Sequence, residues 1–401
     1  MSHLPGSPPS PLKTTSQRGI ALLITLVILA LLAVFMTEFA FETKLETRGI
    51  QNYQASFKAR NAVKSMFKAV LEGLEGQEEV KFFRVYLKDL LRLGNMSNEI
   101  SFLNPPQPVR LPAGIIADFP EVSFYTPVIR PIDHLYNLNR IEKNNPETLQ
   151  DLELRYQFVN ILNNITTENG QVSGNNDAFK KNYAALFDWI DEDQNPYPMI
   201  GVELYQDLVT EIEIKNAKLD RLSEILLIDG IIKSGIPFDN LNPEQGSWKK
   251  YFTVYPVGLQ KGSDLKVKPY INVNLATERE IKEFLLQFVN DSNLNDASQE
   301  FIAGANDIAL VLSKSVSGAQ LSYYNTDLEI QQALNNRPET LSLRPMAHKF
   351  FIAYSYWYEI QLKTEIDNVK AEVRAVVSVE RNPATGEVKD NSLVIHNFFL
   401  R

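Results

Sequence analysis

The hydrophobic pattern opens on an unbroken run. From Ile20 to Met36 no residue is charged, and Thr25 carries the only polar side chain, so the run approaches the ~20 residues that a bilayer core asks of a helix. A cleavable secretory signal would have a shorter apolar core, of roughly 7–15 residues, followed by a small-x-small processing site. The chain instead continues Thr37, Glu38, Phe39, Ala40, Phe41. Lys13 and Arg18 flank the start of the run, which under the positive-inside rule predicts a cytoplasmic N-terminus and an exported remainder. From Glu38 to Leu74 there is no proline, and Phe41, Leu45, Tyr53, Phe57, Val63, Phe67, Val70 and Leu74 recur at helical spacings. The pattern predicts that the helix continues past the membrane as a stem, with alanines at 55, 59 and 62 small enough for close packing.

Beyond the stem the periodicity changes several times. A helical segment over Glu78–Leu93 is followed by Pro105, Pro106, Pro108 and Pro112, which predict a loop between Asn95 and Gly114. Glu121–Asn139, "EVSFYTPVIRPIDHLYNLN", is rich in β-branched and aromatic residues and reads as one or two strands interrupted by Pro127 and Pro131. Helical patterns then dominate, over Pro146–Asn163, Ala178–Asp191, Leu222–Leu227, Glu278–Phe288, Ala297–Leu312 and Leu328–Asn335. From Phe350 the chain alternates apolar and polar residues again, and "NPATGE" marks a turn before "SLVIHNFF", so an antiparallel meander closes the sequence. A strand near Val122–Ile129 pairs with strands after Phe350 only if the residues between them form a compact unit of their own. The expected fold is therefore α+β, a long N-terminal helix with an antiparallel sheet and a large, mainly helical insertion. A tandem arrangement of the same pieces stays open on pattern alone.

Composition narrows the function classes. The chain has 401 residues, enough for one large or two to three smaller domains. A net charge of −9, with 49 acidic against 40 basic residues, argues against sequence-independent nucleic-acid binding. Cysteine is absent, so the fold does not depend on disulfides and no thiol nucleophile exists. The four histidines, His3, His134, His348 and His396, are far apart and build no zinc motif. No Gly-x-Ser-x-Gly elbow or phosphate-binding glycine loop is present. The expectation is a protein that is not an enzyme.

One loop carries candidate metal chemistry. Asp191, Asp193 and Asn195 fall at positions 1, 3 and 5 of an EF-hand-like count, the carbonyl of Tyr197 would be 7, and Glu203 lies one residue beyond the expected 12. Alternating oxygens suit a hard cation such as calcium. Against this, Pro196 stands where an EF-hand needs glycine, and Asp188 is an equal candidate for the first ligand. A helix ending at Asp191 with solvated acids explains the same spacing, and the two readings stand level. "NDSNLND", Asn290–Asp296, reads as a polar interhelical loop.

The junction Arg18-Gly19-Ile20-Ala21-Leu22-Leu23 resembles the prepilin peptidase site of type IV pilins and pseudopilins. In that family the cut follows the glycine, and Ile20 would become the mature N-terminus. The fifth mature residue would be Ile24, where most of the family has glutamate. The subunit that resembles this chain and lacks that glutamate is the K-type minor pseudopilin of the type II secretion system. "LYNLN" (Leu135–Asn139), "LFDWIDEDQNPYPMIGVELY" (Leu186–Tyr205), "LDRLSEILLIDGI" (Leu219–Ile231) and "INVNLATEREIKEFL" (Ile271–Leu285) are similar to that family's segments in the same order. Leu275 departs from it, standing where threonine is common, and the leader is long and proline-rich.

The resemblance implies a leader over 1–19, a transmembrane and stem helix over 20–75, and a pilin-like body over 76–139 and 346–401 with a helical domain inserted at 140–345. It also implies a single-pass inner-membrane protein with a periplasmic body, cut by the prepilin peptidase and N-methylated. Its partners would be the other minor pseudopilins, the major pseudopilin and the inner-membrane assembly platform, and it would cap the pseudopilus tip. Calcium bound by the acidic loop is implied as well. The alternative is a membrane-anchored periplasmic ligand-binding protein in which Gly19 plays no part.

Overall fold

The computed structural model describes residues 15–75, 113–125, 128–143, 149–171, 176–192, 197, 214–240, 245–255, 270–288, 296–312, 324–335, 350–382, 385, 387–389 and 392–401. The expected helix over Glu78–Leu93 lies outside them, as does nearly all of the proline-rich stretch.

Helix α1 (Thr15–Glu75) is continuous over 61 residues. Its apolar stripe is not one face, as the spacing from Phe41 to Leu74 predicts. Ala55, Ala59, Ala62, Val63, Met66, Phe67, Val70 and Leu74 are buried, whereas Phe41, Leu45, Tyr53 and Phe57 are exposed. The stripe changes function at about Ala55 because the sheet begins there. Helix α2 (Ala113–Asp118) then leads to β1 (Ser123–Phe124), β2 (Val128–Pro131) and β3 (Tyr136–Asn137). Pro131 ends β2 as its last residue rather than breaking a strand, since a proline at that point forfeits no further ladder bond.

The stretch that follows contains two half-units built to one plan. In the first, β3 leads through a 3-10 turn to α3 (Leu149–Glu168) and α4 (Asn176–Ile190). A 3-10 turn (Leu222–Leu227), α5 (Asp229–Lys233) and α6 (Trp248–Tyr251) follow, and β4 (Phe252–Thr253) returns to pair in parallel with β3. In the second, β5 (Ile271–Asn272) leads to α7 (Glu278–Leu286), α8 (Asp296–Leu312) and α9 (Asp327–Asn335), and β6 (Phe351–Ile352) returns beside β5, again in parallel. Each outgoing strand carries Asn-x-Asn, and the second asparagine of each is the hub. Asn139 Nδ2 donates to the carbonyls of Leu219 and Val254 at 2.9 and 2.7 Å, while its Oδ1 accepts the Leu219 N–H at 2.8 Å. Asn274 makes the same set, with the carbonyls of Tyr324 and Ala353, both at 2.8 Å, and the Tyr324 N–H at 2.9 Å.

The half-units differ in where they bury their apolar side chains. The first has its own core, centred on Tyr136, Phe158, Tyr183, Trp248 and Phe252. The second shares a single core with α1 and the sheet, since Ile281, Phe284, Ile308 and Leu334 belong with Met66, Ile360 and Val373. Helix α7 starts at Thr277, whose Oγ1 accepts the Glu280 N–H at 3.2 Å while Glu280 Oε2 accepts the Thr277 N–H at 2.9 Å. This reciprocal cap satisfies two N–H groups at the helix start. Leu275, two residues earlier, is buried core and takes no part in it.

The chain closes with β7 (Trp357–Ile366), β8 (Val369–Ser378) and β9 (Val394–Leu400), which form an antiparallel sheet in the order β1-β7-β8-β9, with β2 also on β7. β2 opposes β7 in the register Arg130↔Glu359, so the strands before and after the half-units meet in one sheet, as the insertion reading requires. Asp367 and Asn368, both at positive φ, turn β7 into β8, a backbone that suits the right-handed twist of a two-residue hairpin. "FFIAYSYWYEIQLKTEID" is thus two strands in two sheets rather than one, with β6 serving the second half-unit and β7 the main sheet.

Candidate functional site

The residues of the cleavage junction lie on the free half of α1. Gly19 and Ile20 are inside the helix, whose first residue is Thr15, and Ile20 and Ile24 are 59% and 52% exposed. The apolar side chains from Ile20 to Tyr53 touch no other part of the described chain closely enough to be buried. The helix removes its own polar obstacles to an apolar environment. Thr25 Oγ1 donates to the Leu22 carbonyl at 2.8 Å, and Thr37 and Thr43 donate to Val34 and Phe39 at 2.7 and 2.8 Å. With a mean hydropathy of 3.0 in its most apolar window, the helix is long and apolar enough to cross a membrane once.

Above Ala55 the helix is clamped to the sheet. The three alanines of the stem, Ala55, Ala59 and Ala62, are all buried, and Thr364 Oγ1 of β7 donates to the Ala59 carbonyl at 2.9 Å. Arg381, just after β8, donates from Nη2 to the Leu74 carbonyl at 2.9 Å, closing the last turn of the stem. Phe67 packs against Phe398 of β9 with ring centroids 5.4 Å apart. The body therefore holds one half of α1 rigidly and presents the other.

The acidic loop leaves α4. Asp188 lies in the last turn of that helix, and its Oδ1 accepts the backbone N–H of Tyr197 at 2.8 Å. The Tyr197 ring is buried edge-on against Tyr183 and Phe187, at centroid distances of 6.0 and 5.0 Å, and its hydroxyl accepts from Arg155 Nη1 at 3.3 Å. Asp191 follows the helix directly, with its N–H on the Phe187 carbonyl at 2.9 Å, and is 8% exposed. The structure thus brings Asp188 and Tyr197 together, with Asp191 three residues after Asp188 at the helix end, while Asp193, Asn195 and Glu203 lie outside the described residues. Asp188 closes the loop by holding the Tyr197 N–H. Among the described residues no three acidic or histidine side chains gather closely enough to hold a metal ion.

A serine and a histidine do meet on the sheet. Ser378 Oγ and His396 Nε2 are 2.7 Å apart; Ser378 is fully buried, and the His396 ring packs against Trp357 with centroids 4.5 Å apart. The asparagine hubs, by contrast, were signalled in the sequence by the repeated Asn-x-Asn of "LYNLN" and "INVNL", each followed later by a leucine or tyrosine five residues before a glutamate. That glutamate caps the returning helix, Glu224 Oε1 on the Arg221 N–H at 2.8 Å and Glu329 Oε2 on the Asn325 N–H at 2.7 Å.

No protein-family model matches the chain, and no curated protein sequence matches it. Among solved structures, the chain is similar to a chain in the crystal structure of the GspK-GspI-GspJ complex from the enterotoxigenic Escherichia coli type 2 secretion system. The two share 13% identity over 89% of this chain and 99% of that one, with a TM-score of 0.45.

Proposed function

We propose that the protein is a K-type minor pseudopilin of a type II secretion system, which caps the pseudopilus tip and helps initiate its assembly for protein export. The observation that carries this reading is the division of α1. A helix that is apolar all round from Ile20 to Met36 and uncovered as far as Tyr53, below a body that grips only its upper part, is built to bundle with helices of the same kind along a shared axis. Orientation follows from Lys13 and Arg18, with the N-terminus cytoplasmic and the body periplasmic. The prepilin peptidase cuts after Gly19, and Ile20 is methylated. The other minor pseudopilins, the major pseudopilin and the assembly platform are the partners.

Two features support the tip position. The half-units make the body far wider than its stem, which obstructs a subunit above it. Ile24 offers no carboxylate for the terminal amine of such a subunit, and an unpartnered carboxylate in lipid is expensive. Calcium belongs to the same proposal, held by Asp191, Asp193, Asn195, the Tyr197 carbonyl and Glu203, with hard oxygen donors as its support. It would tie the loop after α4 to the helix; a melting temperature that rises with calcium, and no longer does in Asp191→Asn, is the expected result.

N-terminal sequencing of membrane-extracted protein, from cells with and without the prepilin peptidase, tests the main reading. A start at N-methylated Ile20 that disappears without the peptidase is expected. A Met1 start in both strains overturns it and leaves a membrane-anchored ligand-binding protein.

A further inference from the structure

The exposed side of α1 carries a pattern of its own above the apolar run. Glu38, Glu42, Glu46, Ile50, Tyr53, Phe57, Arg60 and Lys64 follow one another at spacings of three or four residues, which places them all within an arc of about 120°. All are exposed, Ile50, Tyr53 and Phe57 by 59%, 73% and 59%. Lys58, which pairs with Glu121, and Phe67, which meets Phe398, lie at the two margins of the body's grip and leave this side of the stem open. The face is divided along its length into an acidic block next to the apolar run, an apolar block, and a basic block about 30 Å above the first.

The charges are segregated rather than interleaved. Glu38, Glu42 and Glu46 have no basic residue three or four positions away, and Arg60 and Lys64 have no acidic one. A solvated stalk gains from opposite charges at that spacing and loses from like ones. Here Glu38 and Glu42, Glu42 and Glu46, and Arg60 and Lys64 are all like pairs. Among the described residues the ion pairs of α1 are Lys58 with Glu121 and Lys68 with Glu72, and neither answers these charges. Lys44 and Arg48 are exposed too, but they lie on the far side of the helix, below the body.

The order of the blocks indicates what covers them. Lipid does not match it, because the acidic block stands at the level of the headgroup phosphates and the basic block is about 35–40 Å above the end of the apolar run. A second copy of the chain, parallel and level, sets acid against acid and base against base. A parallel helix with the opposite order, basic beside the membrane, apolar at the level of Tyr53 and acidic at the level of Lys64, satisfies all three blocks at once. Repulsion between like stems then makes the choice selective.

We propose that the Glu38–Lys64 face of the stem docks, in parallel, a stem helix of a different protein with the opposite charge order, and rejects a second copy of this chain. The proposal rests on the pseudopilin reading for the source of that helix, a neighbouring subunit that crosses the same membrane.

The test reconstitutes the full chain, which has no natural cysteine, in zwitterionic vesicles. Differently tagged copies each carry Tyr53→Cys and are joined by a short bismaleimide. The probe is a copy with Glu38→Lys, Glu42→Lys, Glu46→Lys, Arg60→Glu and Lys64→Glu. Mixed pairs of unaltered and reversed copies are expected to cross-link about 10-fold more than pairs of either alone, the combined effect of several exposed ion pairs. The preference should vanish near 1 M salt, where charges are screened beyond about 3 Å. A copy with Lys44→Glu and Arg48→Glu instead should show no preference, and the melting temperature of the body should be the same in every copy, since no altered side chain is buried. Equal cross-linking of mixed and like pairs, a preference that survives salt, or the same preference from the Lys44→Glu, Arg48→Glu copy overturns the inference. No cross-linking in any mixture overturns it in favour of a stem that meets lipid alone. A mature Ile20 start without the preference sinks this inference and spares the pseudopilin reading, whereas the preference together with a Met1 start in cells overturns that reading alone.

Discussion

Asn139 and Asn274 do the same work in two different cores. Each ties the turn after an outgoing strand to the end of the returning strand by one hydrogen bond, to Val254 or Ala353, and to a residue midway through the half-unit by two, to Leu219 or Tyr324, all at 2.7–2.9 Å. Asn139 does so in the core owned by the first half-unit, and Asn274 beside the core shared with α1 and the sheet.

Removing either amide should therefore destabilise, but in different places. Asn139→Ala leaves two carbonyls and an N–H without their partner in a buried setting, at a cost of about 2–3 kcal/mol. The loss should stay within residues 136–254, seen as faster amide exchange in α3 and α4 with β7 and β8 still protected. Asn274→Ala should instead speed exchange in the sheet and in the upper half of α1 as well. Equal spreading from both sites would contradict the division of cores.

That division marks the limit of what the sequence revealed. The α1 helix, the α3 and α4 helices, the β7–β8 hairpin and the return of β2 to the C-terminal sheet were all legible, because their periodicities are long and their turns carry the right residues. The boundary between the two cores was not. Residues 271–334 are as helical in pattern as residues 149–233, and only packing shows that Ile281 and Leu334 bury against the stem. Likewise, nothing in "VIRPID" signals that Arg130 would be buried, since a strand with one polar residue reads as half-exposed. In the acidic loop, the spacing brought out Asp188 and Asp191 but could not distinguish an oxygen that binds a cation from one that holds the Tyr197 N–H.

The contact between Gly246 and α3 has no room for a side chain. A Cβ built there would lie 2.7 Å from the Ile165 Cα, a backbone atom, while Asn169 brackets the residue with bonds of 3.0 and 3.1 Å to its N–H and carbonyl. Gly246→Ala must push the loop off the helix and break those two bonds, costing about 1–3 kcal/mol. The urea midpoint should fall with the slope unchanged, and Asn169→Ala combined with it should be less damaging than the sum of the two, since both act on one contact.

Acid should weaken the body in two steps. Burial, with Arg130 close by, holds His134 down at about 3 against an ordinary 6.5. The unfolded chain takes up that proton first, so stability falls by roughly 1.4 kcal/mol per pH unit as pH drops below about 6.5. Glu372 behaves as a depressed carboxylate. Burial alone would raise it, but hydrogen bonds from Gln361, Arg374 and Arg401 outweigh that and hold it at about 2 against 4.5. Its contribution is complete above about 4.5 and is lost as pH falls towards 2. Urea midpoints at pH 7 and pH 5 should therefore differ, and His134→Gln should remove much of the difference. Glu372→Gln should leave that interval unchanged and flatten the profile below pH 4.5.

The two halves of α1 should respond to substitution in opposite ways. Ala59 is fully buried, and its carbonyl receives the Thr364 hydroxyl. Ala59→Leu inserts three carbons where helix and strand touch, so the sheet must move away from the stem, with a loss of about 1–3 kcal/mol and a lower melting temperature. Phe57, two residues earlier, lies on the opposite side of the helix and is 59% exposed. Phe57→Ala removes no contact within the chain, so the melting temperature should stay within about 1 °C, the behaviour of an exposed site. If the uncovered face is where like helices pack, Phe57→Ala should nonetheless reduce cross-linking between stems in membranes, a change that Ala59→Leu could cause only by unfolding the body. Undiminished cross-linking in Phe57→Ala, Tyr53→Ala and Leu45→Ala alike would show that the exposed half of α1 meets lipid alone.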